Sequence, residues 1–428
     1  MEYITSRMEQ SPTLEGSTEL QLPLLTNEEK KVILYNDTTA YTVPAMVTAT
    51  TPLDTLNLNW RERDLPERER TKHVHRLHPY LGKFIPQLAE IFLRKYFTGG
   101  QTVLDPFCGS GTTLIQANEL SINSVGYDIS AFNILLCKAK TAAYSLAVLE
   151  KEVLDILHKT AAYTQGNAPS LQMFEPNVEI RKSDSPYLTA WFAPQALQEL
   201  LTYRTFIDNG NYNYPDILRV ILSRSARSAR LTTHFDLDFP KTPQKEPYWC
   251  YKHSRMCQPT TDAFKFLRRY SLDTINRVKE FSRIRSQAEV SLFNADSRTA
   301  RFPSIDGVIT SPPYVGLIDY HEQHTYAYEL LNLTDNRAAE IGPAANGSSL
   351  KAKQQYRKDI GAVFANILPS LPSGAPIIVV AGDRYDLYEG IGKDIGIHTE
   401  AVLQRHVNRR TGRRSTQFYE SVFVWRKR

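Results

Sequence analysis

Apolar residues fall at helical spacing over Gln87–Phe97, where Leu88, Ile91, Phe92 and Tyr96 share one face, and this spacing predicts a helix. Gly99-Gly100 ends it. Thr102–Leu104 then reads as a short buried strand. The glycine-bearing loop Asp105–Gly111 opens a second helix through about Leu120, and Ser124–Tyr127 makes a second strand ending at Asp128. Strand, glycine loop, helix, strand is how a parallel doubly wound α/β sheet begins. The alternation then stops. Helical patterns at about 146–164, 193–207, 215–230 and 261–285 surround a section rich in Pro, Trp and Tyr, too long for a loop. An inserted, mostly helical domain is expected over 146–285. Strand patterns return at Val290–Phe293, Gly307–Ile309 and Pro376–Val380, separated by helical runs at about 321–333 and 351–368. Tyr326–Leu333 is expected to be helix core. Two further strand patterns, Ala401–Val407 and Gln417–Trp425, flank the basic turn Arg409–Arg414. Residues 1–70 show a short apolar run at Val32–Tyr35 and no sustained period, which predicts a partly ordered, acidic arm. The sheet domain is thus expected in two halves, 71–145 and 286–428, on either side of the insertion.

A chain of 428 residues can bury a core without staples. Four cysteines, Cys108, Cys137, Cys250 and Cys257, and no charged start leading into an apolar stretch argue against a secreted disulfide scaffold. A cytosolic protein is expected. No window approaches 18 unbroken apolar residues, so no membrane span is expected. The net charge of +5 hides an uneven distribution. Residues 1–70 carry seven Lys/Arg against twelve Asp/Glu, 215–285 carry fifteen against seven, and 400–428 carry eight against two. Two basic stretches in a chain of otherwise average composition suggest a polyanion surface, or else solvated helix faces.

The run Asp105–Thr113 follows a strand and opens a helix, where glycines let backbone approach a ligand. It lacks the Gly-Lys-Ser/Thr ending of a phosphate-cradling loop, which argues against a nucleoside triphosphatase. Asp128, at the end of the next strand, is placed to accept both hydroxyls of a ribose, so a nucleoside cofactor is expected. Asn294-Ala295-Asp296-Ser297 ends the strand before Gly307–Ile309. There Asp296 either reaches the cofactor's adenine amine or caps a following turn. Cys250, His253 and Cys257 are one ligand short of a tetrahedral zinc site with no close fourth partner, so no metal is expected. His73, His75 and His78 are expected on a surface segment.

Asp105–Thr113 resembles the S-adenosylmethionine loop of the DNA amino-methyltransferases, and Thr310-Ser311-Pro312-Pro313-Tyr314 resembles their catalytic tetrapeptide. Lys83-Phe84-Ile85-Pro86 is similar to the element that these enzymes place over the methionine end of the cofactor. The resemblance covers about 78–130 and 290–425. It implies a Rossmann-like α/β methyltransferase fold with a mixed, mostly parallel seven-stranded sheet and a largely helical insertion. It implies S-adenosylmethionine as cofactor, held by Lys83, Phe84, Pro86, Asp105, Pro106, Phe107, Cys108, Gly109, Ser110, Gly111, Thr112, Thr113, Asp128, Ile129 and Asp296. The motif order, with a long insertion between cofactor and catalytic halves, is similar to the alpha class, so 146–285 is expected to recognise the target.

An exocyclic amine is a poor nucleophile because its lone pair is delocalised into the base. Hydrogen-bond acceptors must push its nitrogen towards tetrahedral geometry. Ser311 and the carbonyl of Pro312 can accept from the amine, Pro313 stiffens the turn, and Tyr314 can stack on a base rotated out of the duplex. No covalent nucleophile is needed, so Cys108 has no such role. Family enzymes with Ser first in the quartet mostly methylate the N4 amine of cytosine, and some methylate adenine N6. Two other readings stand beside these: an RNA guanine amino-methyltransferase, which normally carries Asp first and an amino-terminal RNA-binding module, and a DNA-binding protein on an inactive scaffold. Double-stranded DNA is the expected partner, with a cognate restriction endonuclease as a second. The expected DNA contacts are Arg227, Arg230, Arg268, Arg269, Arg409, Arg410, Arg413 and Arg414.

Overall fold

The computed structural model describes residues 32–33, 40–164, 183–234, 236–237, 240–407 and 418–428. Its strands are β1 (Val32–Ile33), β2 (Thr102–Asp105), β3 (Asn123–Asp128), β4 (Tyr248–Cys250), β5 (Arg255–Cys257), β6 (Val290–Asn294), β7 (Gly307–Thr310), β8 (Pro376–Ala381), β9 (His398–Val407) and β10 (Phe418–Arg426). The main helices are α1 (Pro86–Tyr96), α2 (Thr112–Glu119), α3 (Ala131–Thr141), α4 (Leu146–Thr164), α5 (Pro186–Trp191), α6 (Pro194–Asn209), α7 (Pro215–Ala229), α8 (Phe264–Ser282), α9 (Thr325–Leu331), α10 (Leu350–Ile367) and α11 (Leu387–Asp394).

The large sheet runs β1-β9-β10-β8-β7-β2-β3-β6. β10 lies antiparallel between β8 and β9, and the other pairings are parallel. The seven strands of the expected methyltransferase sheet are thus joined at one edge by the two residues of β1, beside Val402 and Leu403. Every residue of β7 and β8 is buried, as continuous apolar central strands covered on both faces require. Alternation divides them between two cores. Val103, Ile309, Ile378, Val380, Val422 and Val424 face Leu88, Ile91 and Phe92 of α1. Leu104, Val308, Ile377, Val379, Phe423 and Trp425 face Tyr356, Ile360, Val363, Phe364 and Ile367 of α10, which repeat at helical spacing.

The insertion does not stand apart from this sheet domain. Buried residues of α4, α6, α7 and α8 form one core with Phe132, Leu135 and Leu136 of α3, with Val74 and Leu77, and with Tyr326 and Leu330 of α9. Two buried glutamates brace it. Glu199 of α6 accepts the backbone N–H groups of Ala263 (2.6 Å) and Phe264 (2.8 Å) at the start of α8. Glu152 of α4 accepts those of Asn213 (2.7 Å) and Tyr214 (3.1 Å) just before α7. A carboxylate at a helix start satisfies otherwise unpaired donors, which is what lets these acids be buried.

Two expectations need correction, those for the histidines and for one helical run. His73, His75 and His78 are buried, because their segment runs beneath α8 and α9. The helical run at 321–333 is broken at His324, whose Nδ1 lies 2.8 Å from the Tyr320 carbonyl. From residue 40 onward the amino-terminal arm is packed: Val47, Leu56, Leu58, Trp60 and Leu65 bury against α1 in irregular backbone that has no period to read.

Candidate active site

β2 and β7 are neighbours, so their carboxyl ends bring Asp105 beside Thr310 and Ser311. The Thr310 hydroxyl donates to Asp105 Oδ1 at 2.6 Å, joining the glycine loop to the proline quartet across 205 residues of sequence. Asp105 Oδ1 also accepts the Phe107 N–H at 3.2 Å, fixing the start of the loop. Gly109 and Gly111 have φ of +48° and +83°, where a side chain would be strained. Gly111 ends the loop at the start of α2, and a Cβ there would lie 3.0 Å from Cys137 Sγ. Asp128 ends β3. Its Oδ2 accepts from the Gly109 N–H (2.9 Å) and Asn133 Nδ2 (3.1 Å), and its Oδ1 from the Ser130 N–H (2.9 Å). Loop and acid are locked together at the carboxyl ends of parallel strands, where open α/β sheets bind ligands.

These groups surround an open cleft. Of the residues expected from sequence, Lys83, Phe84, Asp105, Pro106, Phe107, Cys108, Gly109, Ser110, Thr112, Asp128, Ile129, Asp296, Ser311 and Pro313 line it. Pro86, Gly111, Thr113, Pro312 and Tyr314 do not, although Thr113 supports it by donating to the Ile309 carbonyl at 3.2 Å. Lys83 Nζ turns away to the His75 carbonyl (3.0 Å), and burial lowers its pKa to about 8. Asp296 caps a turn, its Oδ1 accepting the Arg298 N–H at 2.9 Å, and it also lines the cleft. Burial alone would raise its pKa, but the side-chain and backbone donors of Arg298 outweigh that and hold it low.

The quartet is held from behind. Tyr356 donates its hydroxyl to the Pro313 carbonyl at 2.8 Å. No hydrogen bond among the described residues engages the Pro312 carbonyl. The Tyr314 hydroxyl donates to Glu420 Oε1 on β10 at 3.1 Å and is also hydrogen-bonded to the Ser311 side chain. Glu420 in turn pairs with Arg405 on β9 at 3.4 Å, both side chains being buried.

Several cleft residues carry no motif. Tyr80 covers Gly109, stacks on Tyr320 with ring centroids 5.9 Å apart, and accepts from Asn133 Nδ2 at 3.1 Å. His321 hydrogen-bonds Glu340 through both its backbone N–H and its ring. Nothing local in the sequence marks these residues, because their contacts join the segment before α1 to α3 and to residues 320–340, which meet only in the folded chain.

The expected DNA contacts fall into three groups. Arg268 and Arg269 are exposed on α8. Arg409, Arg410, Arg413 and Arg414 lie outside the described residues. Arg230 is corrected: it is buried, donates to the Leu237 carbonyl at 2.7 Å and stacks on Tyr326, so its charge is spent inside the protein. The rest of its arginine run is largely spent too, with Arg224 on Asp273 at 2.6 Å and Arg219 on Asp208 and Asp216, while Arg227 is partly buried.

The carboxyl of Asp105 gives a test of this geometry. Burial lifts its pKa from 3.8 to about 6, against the opposing hydrogen bonds from Thr310, Thr113 and Phe107. An acid whose folded pKa is raised contributes stability below its unfolded pKa and loses it as pH rises through the folded value. Denaturation of wild type and Asp105→Asn at pH 4 and pH 7 should therefore show the variant gaining roughly 2–3 kcal/mol relative to wild type across that window. Parallel stabilities at the two pH values would place the carboxylate in a more solvated setting.

Residues 23–138 match the family described as DNA methylase. The type II methyltransferase M.MjaII of Methanocaldococcus jannaschii is 37% identical over 430 residues, covering 84% of this chain and 81% of its own length. M.BsoBI of Geobacillus stearothermophilus, also a type II methyltransferase, is 21% identical and covers 68% of this chain and 59% of its own. Among solved structures, TrmN from Thermus thermophilus aligns with a TM-score of 0.33 at 13% identity, covering 81% of this chain and 50% of its own.

Proposed function

The chain belongs to the DNA amino-methyltransferases, and from that membership we propose that it methylates the exocyclic N4 amine of cytosine in double-stranded DNA, using S-adenosylmethionine. The observation that carries this reading is the Thr310–Asp105 hydrogen bond, which puts Ser311 and the glycine loop on one cleft. The residues present suit the cofactor. The loop Asp105–Thr112 and Asp128 offer backbone donors and a fixed carboxylate for a nucleoside. Phe107 and Ile129 offer apolar surface, and Lys83 and Phe84 border the far side. When bound, S-adenosylmethionine supplies an electrophilic methyl group on a sulfonium sulfur that leaves as a neutral thioether.

The chain's part is to prepare the amine. Ser311 donates a hydrogen bond to Tyr314, and Tyr314 donates one to Glu420, so the lone pairs of Ser311 are left for the cleft. With the Pro313 carbonyl engaged by Tyr356, we assign the second acceptor for the amine hydrogens to the Pro312 carbonyl, which stands behind the cleft lining and which no described residue engages. Two acceptors on two N–H bonds draw the nitrogen out of conjugation and stabilise the positive charge that develops on it. Tyr314 thereby has a second role beside base stacking, as the group that orients Ser311. We read Cys108 as part of the loop wall, with no covalent role.

The insertion over 146–285 is read as the target-recognition region, with Arg268 and Arg269 facing phosphate. Ser at the head of the quartet favours cytosine N4 over adenine N6. Incubation with methyl-labelled S-adenosylmethionine and mixed DNA, followed by nucleoside chromatography, should place the label in N4-methylcytosine. Label in N6-methyladenine would overturn the choice of base, and label in RNA alone would overturn the choice of substrate.

A further inference from the structure

The hairpin β4–β5 has three residues in each strand and no apolar core of its own. Trp249, Tyr251 and Met256 are exposed, and the residues it buries are Cys250 and Cys257. A two-stranded ribbon is marginal by itself in water, so something else must hold this one. What it gathers is a set of side chains able to ligate a metal. His253 comes from the turn, and His234 reaches in from the segment that follows α7. One ligand atom from each of His234, Cys250, His253 and Cys257 lies within 4.8 Å of all the others.

The spacing within the cluster is that of a coordination shell. Cys250 Sγ is 3.5 Å from His234 Nδ1 and 3.6 Å from His253 Nδ1, and Cys257 Sγ is 3.5 Å from His253 Nδ1. Zn–S bonds of about 2.3 Å and Zn–N bonds of about 2.0–2.1 Å at tetrahedral angles set sulfur and nitrogen about 3.6 Å apart. Hydrogen bonding alone explains the cluster less well: two sulfurs converge on His253 Nδ1, which has either one proton or one lone pair to offer.

We infer that His234, Cys250, His253 and Cys257 bind one zinc ion in a closed, structural site. Four protein ligands leave no position for water, which separates this site from a catalytic one. Two thiolates and two neutral imidazoles balance the dication, and the two thiol protons pass to solvent on binding. Sulfur and imidazole donors select zinc over magnesium or calcium. The Tyr248 hydroxyl, 2.9 Å from His234 Nδ1, also accepts the His234 backbone N–H at 3.1 Å. Metal uptake exchanges the first of these contacts for a coordinate bond and leaves the second to hold Tyr248 beside the site. The second cluster, His73, His75 and Glu119, is different in kind: Lys72 already pairs with Glu119 at 2.7 Å, and Lys83 and Lys140 add positive charge around His75.

The zinc pins the hairpin to the end of α7 and presents Tyr251, Lys252 and Arg255 at its tip. That this tip meets DNA rests on the proposed function; occupancy of the site does not. Full-length protein purified without chelator should contain one zinc per chain by plasma mass spectrometry. After stripping, cobalt(II) should restore the visible bands of a tetrahedral thiolate complex. Cys250→Ser and Cys257→Ser should lose both signals, whereas Cys108→Ala keeps the metal. Trypsin should cut the stripped protein at Lys252 or Arg255 at least tenfold faster than the loaded protein. If the cysteine variants do not fold, cobalt binding by the stripped wild type decides the matter. A natively folded wild type that takes up neither zinc nor cobalt would overturn the site. So would full zinc content in a Cys250→Ser, Cys257→Ser double variant, or a Cys250–Cys257 disulfide in protein prepared under reducing conditions.

Discussion

Replacing Ser311 with alanine should lower turnover about 100- to 1,000-fold while leaving S-adenosylmethionine affinity nearly unchanged, the usual cost of removing one preorganised partner of a developing charge. The side chain lies at the cleft but is held through Tyr314 and Glu420, on β10, and not through the glycine loop. Its loss therefore removes an acceptor for the target amine without disturbing Asp105 or Asp128. Single-turnover methylation with saturating cofactor reads the chemical step, and calorimetry reads cofactor binding. A variant with normal turnover and impaired cofactor affinity would put Ser311 on the wrong ligand.

Asp128→Ala should do the reverse. Hydrogen bonds to a charged group contribute about 1.5–3 kcal/mol each, so losing the carboxylate should weaken cofactor binding by roughly 10- to 150-fold. The structure adds a reason beyond the ribose. The same carboxylate accepts from Gly109, Ser130 and Asn133, so alanine leaves three donors without an acceptor and frees the loop. Asp128→Asn, which retains one acceptor oxygen, should lose less than alanine. Unchanged cofactor affinity in both variants would mean that the nucleoside lies at another strand end.

Much of this architecture is legible in the amino-acid sequence, and the exceptions share a cause. α7 and α8 carry apolar residues at helical spacing, so the pattern marks their limits to within a few residues. β7 and the quartet after it are visible because a buried strand followed by two prolines has few other uses. β4 and β5 are too short to show a period, and His234, 16 residues before Cys250, stands alone without the paired neighbour that marks half of a zinc motif. Arg230 sits in a basic run, yet only the packed structure shows that the Leu237 carbonyl and the Tyr326 ring have claimed it. Tyr80 and His321 meet the cleft through tertiary contacts that leave no local pattern.

The Thr310–Asp105 bond joins two halves laterally, across neighbouring strands, and the chain that connects them runs out through the insertion and back at the opposite edge strand, β6. The cleft is therefore closed by lateral contacts between two stretches of chain that are far apart in sequence. If the protein were made as two polypeptides divided in the turn of the β4–β5 hairpin, the first would carry the glycine loop and Asp128. The second would carry α8, β6, β7 and the quartet. Each piece would hold half of a reaction centre and be silent alone. Pairing of β2 with β7 and β3 with β6, and packing of α8 against α4 and α7, would rebuild it. The fold is in this sense a logical AND, its output conditional on two inputs that need not share a backbone.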